Sequence, residues 1–288
     1  MERQYDILTR ISKKYDKMSK GHKTIANFIS EHYDQAVFMT AAKLGSTLGI
    51  SESTVVRFAM ELGYEGYPEM QKALQELIRG RLTSVQRIRA SEMEEGDLLS
   101  RAMHRDVETI NATIESIDRA AFTSVVEKLL AAEHVYIVGV RSSAFLAGYL
   151  NFYLRLLMDN VILVQHSAAG EIYEQMVHIG PKDVLIAISF PRYSNMVIHA
   201  VDMACERGAD VIAITDNGMS PLMPYAAEAL FVQCEALSYV DSLAAPLSFL
   251  NALVLAVGYR RRQEVDETFS QLEQVWSKYD IFGKSEDE

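Results

Sequence analysis

The 288-residue chain is 49% hydrophobic and 23% charged and contains six prolines, which excludes collagen-like, low-complexity and extensively disordered proteins. At roughly 150 residues per domain this length predicts about two domains, and no stretch approaches the roughly 18 apolar residues of a membrane span. The net charge of −11 argues against a nucleic-acid partner when taken over the whole chain, but residues 1–80 hold eleven Lys/Arg against ten Asp/Glu, while 81–288 hold seventeen against twenty-nine.

In chain order, residues 1–80 carry helical apolar periodicity with turns at Gly49 and Gly63, and no strand alternation. Residues 81–117 are charged and helix-compatible apart from a break near Gly96. They read as a helical linker and a lead-in helix. From about Phe122 the pattern changes to short β-rich runs at His134–Val138, Val161–Val164, Asp183–Ile188, Asp210–Ile214 and Leu230–Val232. Helical stretches separate them at Ala144–Leu157, Gly170–His178, Met196–Arg207 and Leu243–Tyr259, before an amphipathic tail to about Lys278. Such alternation predicts a parallel sheet flanked by helices. The expected fold is therefore an all-α domain over 1–80, the linker over 81–117, and an α/β domain with a parallel five-stranded sheet over 118–288.

The start, MERQYDILTR, lacks the apolar centre of a secretion signal, so a cytoplasmic protein without a membrane partner is expected. Cys205 and Cys234 have neither disulfide nor metal-ligand spacing and read as reduced, buried thiols. No metal and no cofactor is expected.

The segment TAAKLGSTLGISESTVVRFAMELG, Thr40 to Gly63, has the layout of a helix-turn-helix. Thr40 caps a first helix through Leu48, Gly49 supplies a left-handed turn, Ile50 plugs the interface and Ser51 caps the second helix. Leu44, Leu48, Val55, Phe58 and Leu62 form the shared apolar face. Glu52, Ser53, Thr54 and Arg57 are left for the first turns of the opposite face, where short hydroxyls reach phosphates or bases and an arginine can fork onto guanine. Lys20, His22, Lys23 and Lys43 are placed to neutralise flanking phosphates.

Two strand-to-helix turns in the second half have anion-binding chemistry. In the first, an apolar strand ends at Gly139 and passes through Arg141, Ser142 and Ser143 into a helix. In the second, a strand ends at Ser189 and passes through Phe190, Pro191, Arg192, Tyr193 and Ser194 into another. Backbone N–H groups at such a terminus favour an anion, and the hydroxyls and guanidinium groups add donors. Ligands of open parallel sheets bind at the carboxyl ends of the strands, where both turns fall. Elsewhere, His166, Glu171 and Glu174 are candidate acid/base groups, Glu235, Ser238 and Ser242 are candidate ligand or subunit contacts, and Phe269 and Trp276 predict packing of the tail helix.

The run from Met18 to about Ile78 resembles the helix-turn-helix domain of RpiR/MurR-type transcriptional regulators, chiefly through Ser51, Ser53, Thr54, Val55, Arg57, Phe58, Leu62–Tyr64 and Gly66–Tyr67. Residues of about 120–260 resemble the SIS (sugar isomerase) domain that follows it in that family, whose first turn usually reads G-x-G-x-S and whose second reads S-x-S-G-x-T. Here Arg141 stands where the second glycine is expected, and Phe190–Ser194 replaces the usual course of the second turn. The resemblance implies a DNA-binding regulator, not an enzyme, with Lys20, Lys23, Lys43, Ser51–Thr54 and Arg57 on double-stranded DNA at a palindromic operator. It implies a phosphosugar ligand at the two turns; with these departures the expected effector is a small anionic metabolite, a sugar phosphate or sugar acid, held by Gly139, Arg141, Ser142, Ser143, Ser189, Arg192, Tyr193 and Ser194. It also implies a homodimer or homotetramer. The alternative is a phosphosugar isomerase with an accessory helical domain.

Overall fold

Residues 7–79, 83–90, 97–165, 170–235 and 238–282 are described by the computed structural model, in which the chain divides into two units, Met1–Met93 and Glu94–Glu288. The first unit is helical: α1 (Ile7–Lys14), α2 (Lys20–Glu31), α3 (Tyr33–Ala36), α4 (Ala41–Leu48), α5 (Glu52–Glu61), α6 (Tyr67–Arg79) and α7 (Ser84–Ala90). Its core gathers Ile25 and Ile29 of α2, Leu44 of α4, Val55 and Phe58 of α5, Leu62, and Met70 and Leu74 of α6. Leu48 and Ile50 pack on this core half-buried.

Local chemistry sets the α4–α5 pair. The Thr40 hydroxyl accepts the Lys43 N–H at 3.2 Å, and Gly49 ends α4 with φ +67°. A Cβ on Gly45 would lie 2.7 Å from the Ile50 carbonyl oxygen, so the approach of the turn to α4 requires glycine. Ser51 occupies the cap position of α5 but does not cap it with its side chain. Its hydroxyl lies 3.0 Å from that of Ser53 and 2.8 Å from that of Thr54, because the neighbouring hydroxyls compete with the helix N–H groups.

The second unit runs α8 (Leu98–Ser116), α9 (Arg119–Ala131), β1 (Val135–Gly139), α10 (Ser143–Leu157), β2 (Val161–Val164), α11 (Glu171–Gln175), β3 (Val184–Ile188), α12 (Asn195–Glu206), β4 (Asp210–Thr215), β5 (Glu228–Phe231), α13 (Ala244–Arg260) and α14 (Arg262–Lys278). The five strands are parallel in the order β2-β1-β3-β4-β5, each within two residues of its sequence reading. Alternate residues of each strand face opposite layers. Ile137, Ile186 and Ile212 pack with Leu146, Leu150, Leu250 and Leu253 of α10 and α13. Val138, Leu185 and Val211 pack with Ile172, Val197 and Val201 of α11 and α12.

Two sequence expectations are corrected. The sequence reading places no helix over residues 119–131, where α9 is capped at its start by Asp118, whose carboxylate accepts the N–H groups of Ala120 and Ala121 at 2.8 and 3.0 Å. Cys205 is exposed, whereas Cys234 is buried. The inward face of α12 is Val197, Ala200, Val201 and Ala204, which turns Cys205 outward.

Tyr67 is buried at the start of α6, where its hydroxyl donates to the Met39 carbonyl at 2.7 Å. Burial pushes its phenol up to about 12 from 10.0. The folded unit thus keeps a proton that the unfolded chain releases from about pH 10, so its stability holds below that pH and falls as pH rises towards 12. Urea unfolding from pH 9 to pH 12 is expected to show a decline approaching about 1.4 kcal/mol per pH unit at its steepest, and Tyr67→Phe should flatten it.

Candidate functional site

The first turns of α5 present a continuous polar surface. Ser51, Glu52, Ser53 and Arg57 are exposed and Thr54 is half-buried, while Val55 and Phe58 face the core. Arg57 is held over this surface: its Nε donates to the Ser53 carbonyl and one terminal nitrogen to the Thr54 hydroxyl, both at 3.3 Å. Glu52, Ser53, Val56 and Arg57 line an open concavity there. Helix α2 begins alongside, since a Cβ on Gly21 would sit 3.6 Å from Thr54 Cγ2. Lys20 is exposed at that end, and the Lys23 ammonium lies 5.3 Å from the centre of the Tyr15 ring. Lys43 is exposed on α4. His22, read from sequence as a phosphate neighbour, is turned inward instead. Its Nδ1 lies 2.5 Å from Glu61 and its ring stands edge-on to Phe58.

In the second unit the reversal of strand order falls at β1, and Gly139 at the end of β1 is paired with Ile188 at the end of β3. The two candidate turns therefore emerge side by side from adjacent strands, at the point where open α/β sheets leave a crevice. After β1 the chain folds tightly. A Cβ on Gly139 would fall 2.5 Å from the Ser143 carbonyl oxygen and 3.2 Å from Ala147 Cβ. Arg141 takes a left-handed conformation with φ 57°, and Arg141 and Ser142 are exposed while Ser143 is buried. The residue standing at the family's second glycine thus keeps a glycine-like backbone and adds a guanidinium group.

After β3, Ser189 is buried and its N–H reaches the Ile214 carbonyl at 3.1 Å. Phe190 joins the core, Arg192 is exposed, and the half-buried Tyr193 donates its hydroxyl to Asp216 at 2.6 Å. Ser194 caps α12 by accepting the Met196 N–H at 3.3 Å. The eight residues read as effector contacts thus lie at the ends of two adjacent strands and in the turns that follow them, with Arg141, Ser142 and Arg192 exposed.

The other candidates divide. Glu171 and Glu174 lie on the short α11, and His166 falls outside the described residues. Glu235 and Ser242 are engaged with α8: Arg105 lies 3.3 Å from Glu235, and the Ser242 hydroxyl donates to Asp106 at 2.5 Å. Ser238 is buried. The Phe269 and Trp276 rings meet edge-to-face at 6.4 Å, but no residue of α14 is buried among those described. Sequence reasoning missed Asp216; its signal was an acid following the apolar run Val211–Ile214.

Comparison with known proteins places these features. A family model for the helix-turn-helix domain of the rpiR family matches residues 5–79, and one for the SIS domain matches 128–256. Among solved structures, the Vibrio vulnificus NanR protein complexed with ManNAc-6P is 22% identical, with 96% of this chain and 99% of that one covered and a TM-score of 0.60. The sugar isomerase domain of an RpiR transcription factor from Sphaerobacter thermophilus is 23% identical, covering 62% of this chain and 99% of its own, at a TM-score of 0.59. The E. coli CFT073 protein c3406, solved as a ligand complex, is 19% identical over 59% of this chain and 94% of its own, at a TM-score of 0.50.

The packing of Gly139 against backbone gives a direct test. Gly139→Ala forces β1 and α10 apart and should cost about 1–3 kcal/mol, measured as a lower urea midpoint with an unchanged slope.

Proposed function

With an rpiR-family helix-turn-helix domain at 5–79 and a SIS domain at 128–256, the chain belongs to the RpiR family, and we propose that it is a transcriptional regulator whose hold on an operator is set by a small phosphorylated sugar or sugar acid. The observation that carries this reading is the adjacency of two serine- and arginine-bearing turns, after β1 and after β3, at the reversal of strand order. Arg141, Ser142 and Arg192 bind the anionic group there. Phosphate and carboxylate both suit a planar guanidinium fork, and NanR was solved with ManNAc-6P. In this reading the SIS domain senses its ligand without converting it.

At the other end of the chain, Ser51, Glu52, Ser53, Thr54 and Arg57 enter the major groove, while Lys20, Lys23 and Lys43 contact phosphates. The exposure of Arg57 and its placement over Ser53 and Thr54 support this assignment. The functional particle is a homodimer or a pair of dimers, so two such helices lie about one helical turn, roughly 34 Å, apart on a palindromic site. The face that pairs the copies is built from α10 and α13, which pack on one another and leave Phe145, Phe152, Leu255 and Tyr259 exposed, Phe145 and Tyr259 by 77% and 78%. Apolar exposure on that scale marks an association surface. Light scattering should report at least a dimer, and Phe145→Glu combined with Tyr259→Glu should return a monomer.

A gel shift on the DNA upstream of its own gene, titrated with a panel of sugar phosphates and sugar acids, tests both ends together. Arg57→Ala is expected to weaken the shifted band about tenfold or more, in line with the loss of one bidentate base contact. Arg141→Ala and Arg192→Ala should leave that band in place and abolish its response to the ligand. A normal ligand response in both arginine variants would overturn the cleft assignment. Turnover of any panel member would overturn the sensing role.

A further inference from the structure

We propose that Asp216 is the positioning residue of the effector cleft, holding Tyr193 and through it the Arg192 segment in binding geometry. The inference rests on the cleft reading above and extends it to a residue outside both turns.

Asp216 follows β4, next in the sheet to β3, and is only 3% exposed. A carboxylate so far from water persists only when its oxygens are hydrogen-bonded. One oxygen accepts the Tyr193 hydroxyl at 2.6 Å and the other accepts the Asn217 side-chain amide at 2.8 Å. Asn217 is fixed in turn, its carbonyl oxygen accepting the Met219 N–H at 2.8 Å. Beside them the buried Thr215 hydroxyl donates to Ser220 Oγ at 2.9 Å, which pins the same loop. The acceptor that Tyr193 meets is therefore set before any ligand arrives.

The turn after β3 needs such an anchor. The turn after β1 is fixed by backbone contact between Gly139 and Ser143, whereas the later turn has no glycine and follows a longer course through Phe190–Ser194. Phe190 secures one end in the core and Ser194 secures the other at the cap of α12. Between them, the bond from Tyr193 to a charged acceptor ties the chain immediately after the exposed Arg192. Bonds to an ionised acceptor are roughly twice as strong as neutral ones, which suits a tie that carries a loop.

The test uses the full-length protein with Tyr193→Phe and Asp216→Ala, singly and together, and Asp216→Asn in place of the alanine variant if that one fails to fold. Glucose 6-phosphate and inorganic phosphate are titrated calorimetrically, and hydrogen exchange of residues 189–195 is followed without ligand. Each single substitution should weaken probe binding about tenfold, the worth of one charge-assisted hydrogen bond, and the double variant should bind no worse than the weaker single. Exchange of the segment should rise alike in all three variants. Additive losses, or unchanged exchange, would overturn the positioning role. If the unmodified protein takes up neither probe, the cleft reading fails for these anions, and the exchange measurement still decides whether Asp216 orders the segment.

Discussion

A parallel sheet that winds outward in both directions from one strand leaves two neighbouring strands whose exits turn to opposite faces. In this chain those strands are β1 and β3: the exit of β1 leads to α10 on one layer and the exit of β3 to α12 on the other. In open α/β sheets such divergence leaves a crevice for a ligand. Everything proposed for the second unit depends on it, because Arg141 and Arg192 stand 51 positions apart in sequence and follow strand ends that are neighbours through the pairing of Gly139 with Ile188. The apolar alternation of the strands enforces that pairing, since a slip of one residue would turn Ile137, Ile186 and Ile212 away from the α10 and α13 layer.

The two turns meet the crevice by different means. After β1, backbone contact does the positioning, and Arg141 keeps the left-handed conformation with a side chain that glycine lacks. After β3, side chains do it, through Phe190 in the core, Tyr193 on Asp216 and Ser194 at the helix cap. In the proposed cleft, the exposed Arg141 and Arg192 present charge and planar donors where the motifs of the two turns usually carry glycine. That difference favours ligands with a strongly anionic group.

What could be read from the sequence divides along the range of the forces involved. Thr40 and Gly49 were legible because a cap and a left-handed turn are local events, and the five strands were legible because each is a short apolar run bounded by polar turns. Gly45 was not, since its need for a bare Cα comes from the Ile50 carbonyl on the next turn. His22 has the composition of a phosphate contact, but its direction is decided by Glu61 and Phe58 on α5. Cys205 sits one position beyond the buried stripe of α12, a distinction finer than apolar periodicity resolves. Asp216 was not assigned to the site because its burial and its bond to Tyr193 come from residues distant in sequence.

Crystals of the full-length protein grown with whichever phosphate ester releases the operator band would test the central claim most directly. Density for the ester's anionic group between residues 140–142 and 189–194, within hydrogen-bond reach of Arg141 or Arg192, is the predicted result. Density in the apolar groove lined by Ile110, Phe122 and Phe249, with the crevice filled by solvent, would contradict it.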